Sequence, residues 1–201
     1  MTSLAARSLE VETTSGTARV TLTKRGPNGL YVVGHGAGGG IDAVDIVAVA
    51  QALADEGWTV ARVEQPYRVK GRRAPEPAPK LDAAWTTVVA ALRRERRGKL
   101  VVSGRSSGAR VAVRTAAAVG ADGVVALAFP LHPPGRPERS RADELGALTV
   151  PLLVVQGARD GFGTRAEFPK GTPVVEVPGD HSLKQDPAAV SGAVVDWMRT
   201  L

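Results

Sequence analysis

The chain has 201 residues, 43% of them hydrophobic and 23% charged, with a formal net charge of +6 and no cysteine. That length supports a sizeable buried core in one domain over residues 1–201. The absence of cysteine excludes a thiol nucleophile, a disulfide framework and a thiolate metal site, and suits a reducing compartment. No run approaches the roughly 20 apolar residues that span a bilayer, and Met1 to Glu10 lacks the apolar stretch of a secretion signal. A cytoplasmic protein with no membrane partner is therefore expected.

Ala18–Thr23 and Leu30–Val33 are short β-prone runs joined by Lys24-Arg25-Gly26-Pro27-Asn28-Gly29. The Asn-Gly pair predicts an antiparallel hairpin there. A glycine-rich loop, Gly34-His35-Gly36-Ala37-Gly38-Gly39-Gly40, follows. A helix is then expected from about Ala43 to Glu56, capped by Asp42 and ended by Gly57. Trp58–Val63 reads as a buried strand, and Glu64–Lys80, rich in proline, as an irregular loop. Leu81, Ala84, Trp85, Val88, Val89 and Leu92 recur at helical spacing, which predicts an amphipathic helix stopped by Gly98.

Leu100–Ser103 is the next strand, and Gly104-Arg105-Ser106-Ser107-Gly108 follows it directly. A strand, a Gly-x-Ser-x-Gly turn and a helix over Ser107–Val119 together form the pattern that lifts a serine clear of a sheet. Gly123–Leu127, Leu152–Gln156 and Thr172–Val177 are further apolar strands. A last helix starts with Asp186 as cap and Pro187 in its first turn, burying Val190, Val194, Trp197, Met198 and Leu201. The alternation predicts an α/β fold: a mostly parallel sheet with helices on both faces.

Ligands bind beyond the carboxyl ends of such strands, and three reactive side chains fall there. Ser106 follows one strand; Asp160 sits four residues past Gln156; His181 sits four residues past Val177. A serine hydroxyl needs a base to remove its proton, and the base needs an acid to orient it. Asp180 adjoins His181 and competes for the acid's role, but adjacent residues rarely align for that contact, which favours Asp160. An oxyanion needs preorganised N–H donors, expected from Ser107 and from Ala37, with Gly38 as the second choice in that loop. The same glycine run lacks the Gly-Lys-Ser/Thr ending of a phosphate loop. His35, His132 and His181 all lie near strand ends, and the alternative of a three-histidine zinc site is weak because no two share a helix.

The positive charge falls mainly in two places: Arg93, Arg94, Arg96, Arg97 and Lys99 close a helix, and Arg68, Lys70, Arg72, Arg73 and Lys80 lie in the proline-rich loop. No aromatic residues are interleaved with these charges as in a stacking surface for single strands, so a solvated basic face is expected and no nucleic-acid partner.

With these residues in hand, the chain resembles the α/β-hydrolase superfamily. Within it, the resemblance is to the small dienelactone-hydrolase-like group that includes testis-expressed and histone-acetyltransferase-associated hydrolase-like proteins. The matching stretches are His35-Gly36-Ala37-Gly38-Gly39, Gly104 to Arg110, Phe129-Pro130-Leu131-His132-Pro133-Pro134-Gly135, Gln156 to Gly163, and Gly179-Asp180-His181-Ser182-Leu183. Ser107 stands where relatives often carry Met. The resemblance implies an α/β-hydrolase fold and a Ser106–Asp160–His181 serine hydrolase without a cofactor. It also admits a non-catalytic interaction module on the same fold, although such a module has no need of all three residues.

The segment Phe129 to about Leu148, where related folds insert a lid, has some twenty residues and four prolines. A minimal lid or none is expected, with an open site for small ester or thioester substrates. Tyr67, Phe129, Leu131 and His132 are expected to line its wall. Arg105 and the basic loop are expected to favour an anionic substrate. The sequence leaves the oligomeric state open.

Overall fold

The computed structural model describes residues 7–23, 26–94, 96 and 98–201. Lys24, Arg25 and Arg97 lie outside them. Eight strands form one sheet: β1 (Arg7–Thr13), β2 (Gly16–Leu22), β3 (Gly29–Gly34), β4 (Thr59–Glu64), β5 (Lys99–Arg105), β6 (Gly123–Leu127), β7 (Leu152–Gly157) and β8 (Val174–Val177). Their order is β1-β2-β4-β3-β5-β6-β7-β8. The six strands from β4 to β8 in that order pair in parallel, while β1 and β2 are antiparallel.

The expected hairpin between the second and third strands is not formed. β2 turns back on β1 instead, through a tight turn at Thr14-Ser15 in which Gly16 has φ +105° and Thr13 Oγ1 donates to Gly16 O at 2.6 Å. The physical reason is burial. Every residue of β3 is buried, so β3 takes a parallel partner on each side, β4 and β5. Asn28 serves a different purpose: its Nδ2 donates to Glu56 O at 2.7 Å and its backbone N–H to Gly57 O at 3.1 Å, tying the start of β3 to the end of the first helix.

That helix, α1 (Val44–Asp55), has Ala43 at its N-cap with no side-chain cap. Asp42 pairs instead with Arg62, at 2.9 Å. The expected loop 64–80 is shorter than read: Glu64 still belongs to β4, Pro66–Val69 form a helical turn, α2, started by its proline, and Ala78–Lys80 already belong to the next helix. The amphipathic helix is α3 (Ala78–Arg93), and its buried residues are the six read from the spacing. α4 (Ser107–Val119) follows β5; α5 (Ala142–Gly146) is short; α6 (Pro187–Met198) is capped by Asp186, whose Oδ1 accepts from Ala189 N at 2.9 Å.

The helices divide between the two faces of the sheet. Leu81, Trp85, Val88, Val89 and Leu92 of α3 join Ala109, Ala112 and Ala116 of α4 in one core. Ile46, Val49 and Leu53 of α1 join Val190, Val194 and Met198 of α6 in the other. All strands from β3 to β8 end on the same edge, and that edge carries the site.

Candidate functional site

The turn after β5 is tightly constrained. Ser106 has φ 53° and ψ −113°, a left-handed conformation uncommon outside glycine and typical of strained functional positions. Its N–H donates to Leu127 O at 2.9 Å, and its carbonyl accepts from Arg110 N at 3.2 Å. The flanking glycines are sterically required. A Cβ on Gly104 would stand 2.2 Å from the Gly108 carbonyl carbon, and one on Gly108 would stand 2.7 Å from His35 O. Strand, helix and glycine loop therefore touch backbone to backbone around Ser106.

β7 and β8 deliver the other two groups. Gly157 ends β7 where a Cβ would meet Asp180 O at 2.5 Å, so the loop carrying His181 folds directly over the strand end. Asp160 is 1% exposed. Its Oδ2 accepts from His181 Nδ1 at 2.8 Å and from Gln156 Nε2 at 2.8 Å, while its Oδ1 accepts from Phe162 N at 2.8 Å. A carboxylate only accepts, so His181 carries its proton on Nδ1 and leaves Nε2 as an acceptor. Nε2 lies 2.8 Å from Ser106 Oγ, so the serine hydroxyl donates to it. Asp180 faces elsewhere. Its Oδ1 accepts from the side chain and backbone N–H of Ser182, contacts that hold its carboxyl below the usual carboxylate range.

The glycine loop sits beside Ser106. Gly36 O accepts from Gly39 N at 3.2 Å across a turn whose tip, Ala37-Gly38, is exposed, with Gly38 at φ +69°. A Cβ on Gly36 would come within 3.4 Å of Ser106 Cβ. The buried His35 ring anchors this loop: its Nδ1 lies 2.9 Å from Gly36 O, and its Nε2 accepts from Gln65 N at 3.1 Å. Burial pushes the His35 pKa down, against smaller opposing effects of Gly36 O and Glu64. A neutral ring with one donor and one acceptor fits both contacts.

A family model described as alpha/beta hydrolase domain matches residues 27–193. The chain belongs to the α/β-hydrolase family. Solved structures agree on the fold. An α/β serine hydrolase without lid from Xanthomonas campestris is 21% identical, with a TM-score of 0.74 over 96% of this chain and 94% of that one. An esterase from Pyrococcus furiosus is 16% identical, with a TM-score of 0.79 over 98% and 91%. A dienelactone hydrolase from Anabaena variabilis is 16% identical, with a TM-score of 0.73 over 97% of each chain. No match is found among the curated proteins compared with it.

In this family member the residues expected to form the wall are placed differently. Phe129 is fully buried and packs against Phe168, with ring centroids 6.4 Å apart. Leu131 is buried beneath Gly163, where a Cβ would stand 2.8 Å from Leu131 Cβ. Tyr67 is buried against the His35 ring at 5.7 Å and shares a small cavity with Leu81, Trp85 and Ser107. His132 is also buried: its Nδ1 lies 2.9 Å from Pro133 O and its Nε2 3.0 Å from Glu167 Oε1. Phe129, Leu131 and His132 pack or clamp the segment after β6 against the body, and Tyr67, on α2, packs against the ring that anchors the glycine loop.

Arg105 is turned inward as well. Its Nη2 donates to His181 O at 3.0 Å, and its Nε lies 3.3 Å from Asp45 Oδ2. The three histidines do not converge, since His35, His132 and His181 each spend their ring nitrogens on separate partners. Among the described residues no group of three or more potential ligands could hold a metal.

Three residues that matter to the geometry were not singled out from the sequence. Gln156 is fully buried, and its Nε2 bridges Asp160 Oδ2 and Gly163 O, each at 2.8 Å. Phe162 stacks on the His181 ring at 4.0 Å between centroids and 26° between planes. Asp45 lies in the first turn of α1 with no exposed side chain. Gln156 and Asp45 carry a visible signal, a polar side chain within an apolar strand run and on a buried helical stripe. Phe162 carries none beyond its closeness to Asp160.

Proposed function

We propose that this protein is a serine-dependent acyl hydrolase acting on small, accessible ester or thioester substrates. The observation that carries this reading is the continuous relay Ser106 Oγ–His181 Nε2–His181 Nδ1–Asp160 Oδ2, with both links at 2.8 Å. Ser106 Oγ attacks the substrate carbonyl carbon as its proton passes to His181 Nε2. The carbonyl π electrons move to oxygen, and the resulting oxyanion is held by the N–H of Ser107 and of Ala37, with Gly38 as the alternative donor. Collapse expels the leaving group, which takes the proton from His181. Water then repeats the sequence on the acyl-serine. Asp160 keeps the imidazole in the tautomer that accepts from serine and stabilises the imidazolium as it forms.

The substrate class is supported by the segment after β6. It holds a 3₁₀ turn at Pro137–Arg139 and the five-residue α5, too little to enclose a long acyl chain. A fluorophosphonate probe tests the reading. Ser106 should be labelled, and Ser106→Ala should abolish labelling without changing the melting temperature. Absence of labelling in folded wild-type protein would overturn it.

A further inference from the structure

We infer that the buried Asp45–Arg105 pair is a positioning device that holds the elbow, the glycine loop and the His181 loop in register. The inference rests on the serine-hydrolase reading for its effect on rate, but not for its effect on geometry.

The guanidinium of Arg105 meets all three segments at once. Through its own backbone it is the residue before Ser106. Its Nη2 donates to His181 O at 3.0 Å. Its Nη1 lies against the glycine loop, 3.6 Å from where a Gly36 Cβ would be and 3.8 Å from the same position on Gly39. Asp45, on the helix that follows the glycine loop, stands behind it with Oδ2 3.3 Å from Arg105 Nε. Ser106, His181 and the expected oxyanion donors of the proposed chemistry sit on these three segments, and Arg105 touches all of them.

The pair is poorly arranged for stability alone. Asp45 has no exposed side-chain surface, its 3.3 Å contact with Arg105 Nε is not a well-aligned hydrogen bond, and only the backbone N–H groups of Asp45 and Ile46 add to it. Burial raises the Asp45 pKa, against the lowering effect of Arg105. Buried ion pairs of this kind are often replaced by apolar residues without loss of stability, whereas removal of one partner strands a charge. What an apolar pair could not supply is the directed bond from Nη2 to the carbonyl of His181. That bond fixes the backbone from which the imidazole reaches Ser106. A ring displaced by about 1 Å costs on the order of 100-fold in rate.

The test separates stability from positioning. The double variant Asp45→Leu/Arg105→Met replaces the pair with apolar side chains, and Arg105→Lys keeps the charge but not the forked reach. The double variant should melt at or above the wild-type temperature. It should nevertheless react with fluorophosphonate about 10- to 100-fold more slowly, and it should lose the downfield NMR signal of the His181 Nδ1 proton bonded to Asp160. Arg105→Lys should recover part of both readouts. A double variant that keeps the wild-type proton signal overturns the inference, whatever its labelling rate. If wild-type protein shows the signal but is never labelled, the serine-hydrolase reading fails while a loss of signal in the double variant still supports the positioning role. If the double variant does not fold, Arg105→Lys decides: an unchanged proton signal there overturns the role, and a weakened one supports it.

Discussion

Asp160 accepts three hydrogen bonds, one from His181 and two from Gln156 and Phe162 that do not depend on the histidine. The carboxylate is therefore fixed before the imidazole arrives. Asp160→Asn can still accept from Phe162 N, but an NH2 in the place of Oδ2 would oppose both His181 Nδ1–H and Gln156 Nε2, and the ring would turn to the tautomer with the proton on Nε2. That nitrogen could no longer accept from Ser106. A fall of about 10⁴-fold in kcat on a small ester is expected, with a lowered melting temperature from the opposed Gln156 amide. A variant within tenfold of wild-type kcat would show that Asp160 does not set the tautomer. At this scale Ser106, Asp160 and His181 stand out in the sequence because each lies within four residues past a strand end. Arg105 was misread: a cation beside a serine looks available to an anion, and nothing local reveals that a carboxylate 60 positions earlier in the chain captures it. The buried state of Phe129, Leu131 and Tyr67 was hidden for a related reason. Their loops are irregular, and without periodicity a sequence does not show which side faces inward.

The contacts between elements are closer around the elbow than side chains would permit. Gly104 and Gly108 oppose backbone atoms, which cannot rotate away as a side chain can. Gly104→Ala should therefore cost more than the roughly 1–3 kcal/mol of an overpacked side-chain site, read as a large drop in thermal midpoint. A near-native midpoint would mean that β5 and α4 separate freely. The glycine loop has a different weakness, the neutral state of His35. Its folded pKa lies below the ordinary histidine value of 6.5. The stability it contributes is thus present above about pH 6.5 and is lost as pH falls through the folded value. His132 has the opposite sign. The Pro133 carbonyl is the largest influence raising its pKa, with Glu167 adding to it, so its contribution persists on acidification and fades as pH rises. His35→Gln should accordingly flatten the loss of stability just below pH 6.5 in denaturant titrations, and identical pH profiles for variant and wild type would refute the assignment. The strand-end spacing and the helix of Leu81 to Leu92 were legible at this scale because their periods are regular. The hairpin was not. Asn28-Gly29 is a strong turn signal locally, but β3 needs two parallel partners, and that requirement belongs to the sheet.

Across the molecule, the order β1-β2-β4-β3-β5-β6-β7-β8 places β5 centrally, so the elbow has neighbouring loops on both sides. The loop after β6 determines how open that edge remains. It is clamped at several points. Arg141 donates through Nη1 to Pro130 O and through its backbone to Leu131 O, both at 2.7 Å. Glu144 of α5 pairs with Arg110 and Arg114 of α4, and Arg114 also pairs with Asp82 of α3. His132 reaches across to Glu167. Phe129 and Leu131 lie beneath in the core. A lid that opens at a lipid surface must exchange buried apolar contacts for lipid contacts through a hinge. Here the same movement would break the ion pairs of Glu144 to α4 and expose core residues, so the segment should stay in place. Two kinetic outcomes follow. Rates on a short-chain ester should rise smoothly with concentration, without a jump where the substrate passes from solution to emulsion. Activity should also fall steeply from butyryl to palmitoyl esters, because no enclosing surface compensates for the exposed chain. Weakening the clamp with Glu144→Gln should lower the melting temperature and leave both patterns unchanged. A jump in rate at the emulsion threshold, in the wild type or only in that variant, would show that the segment is a lid held shut by these ion pairs.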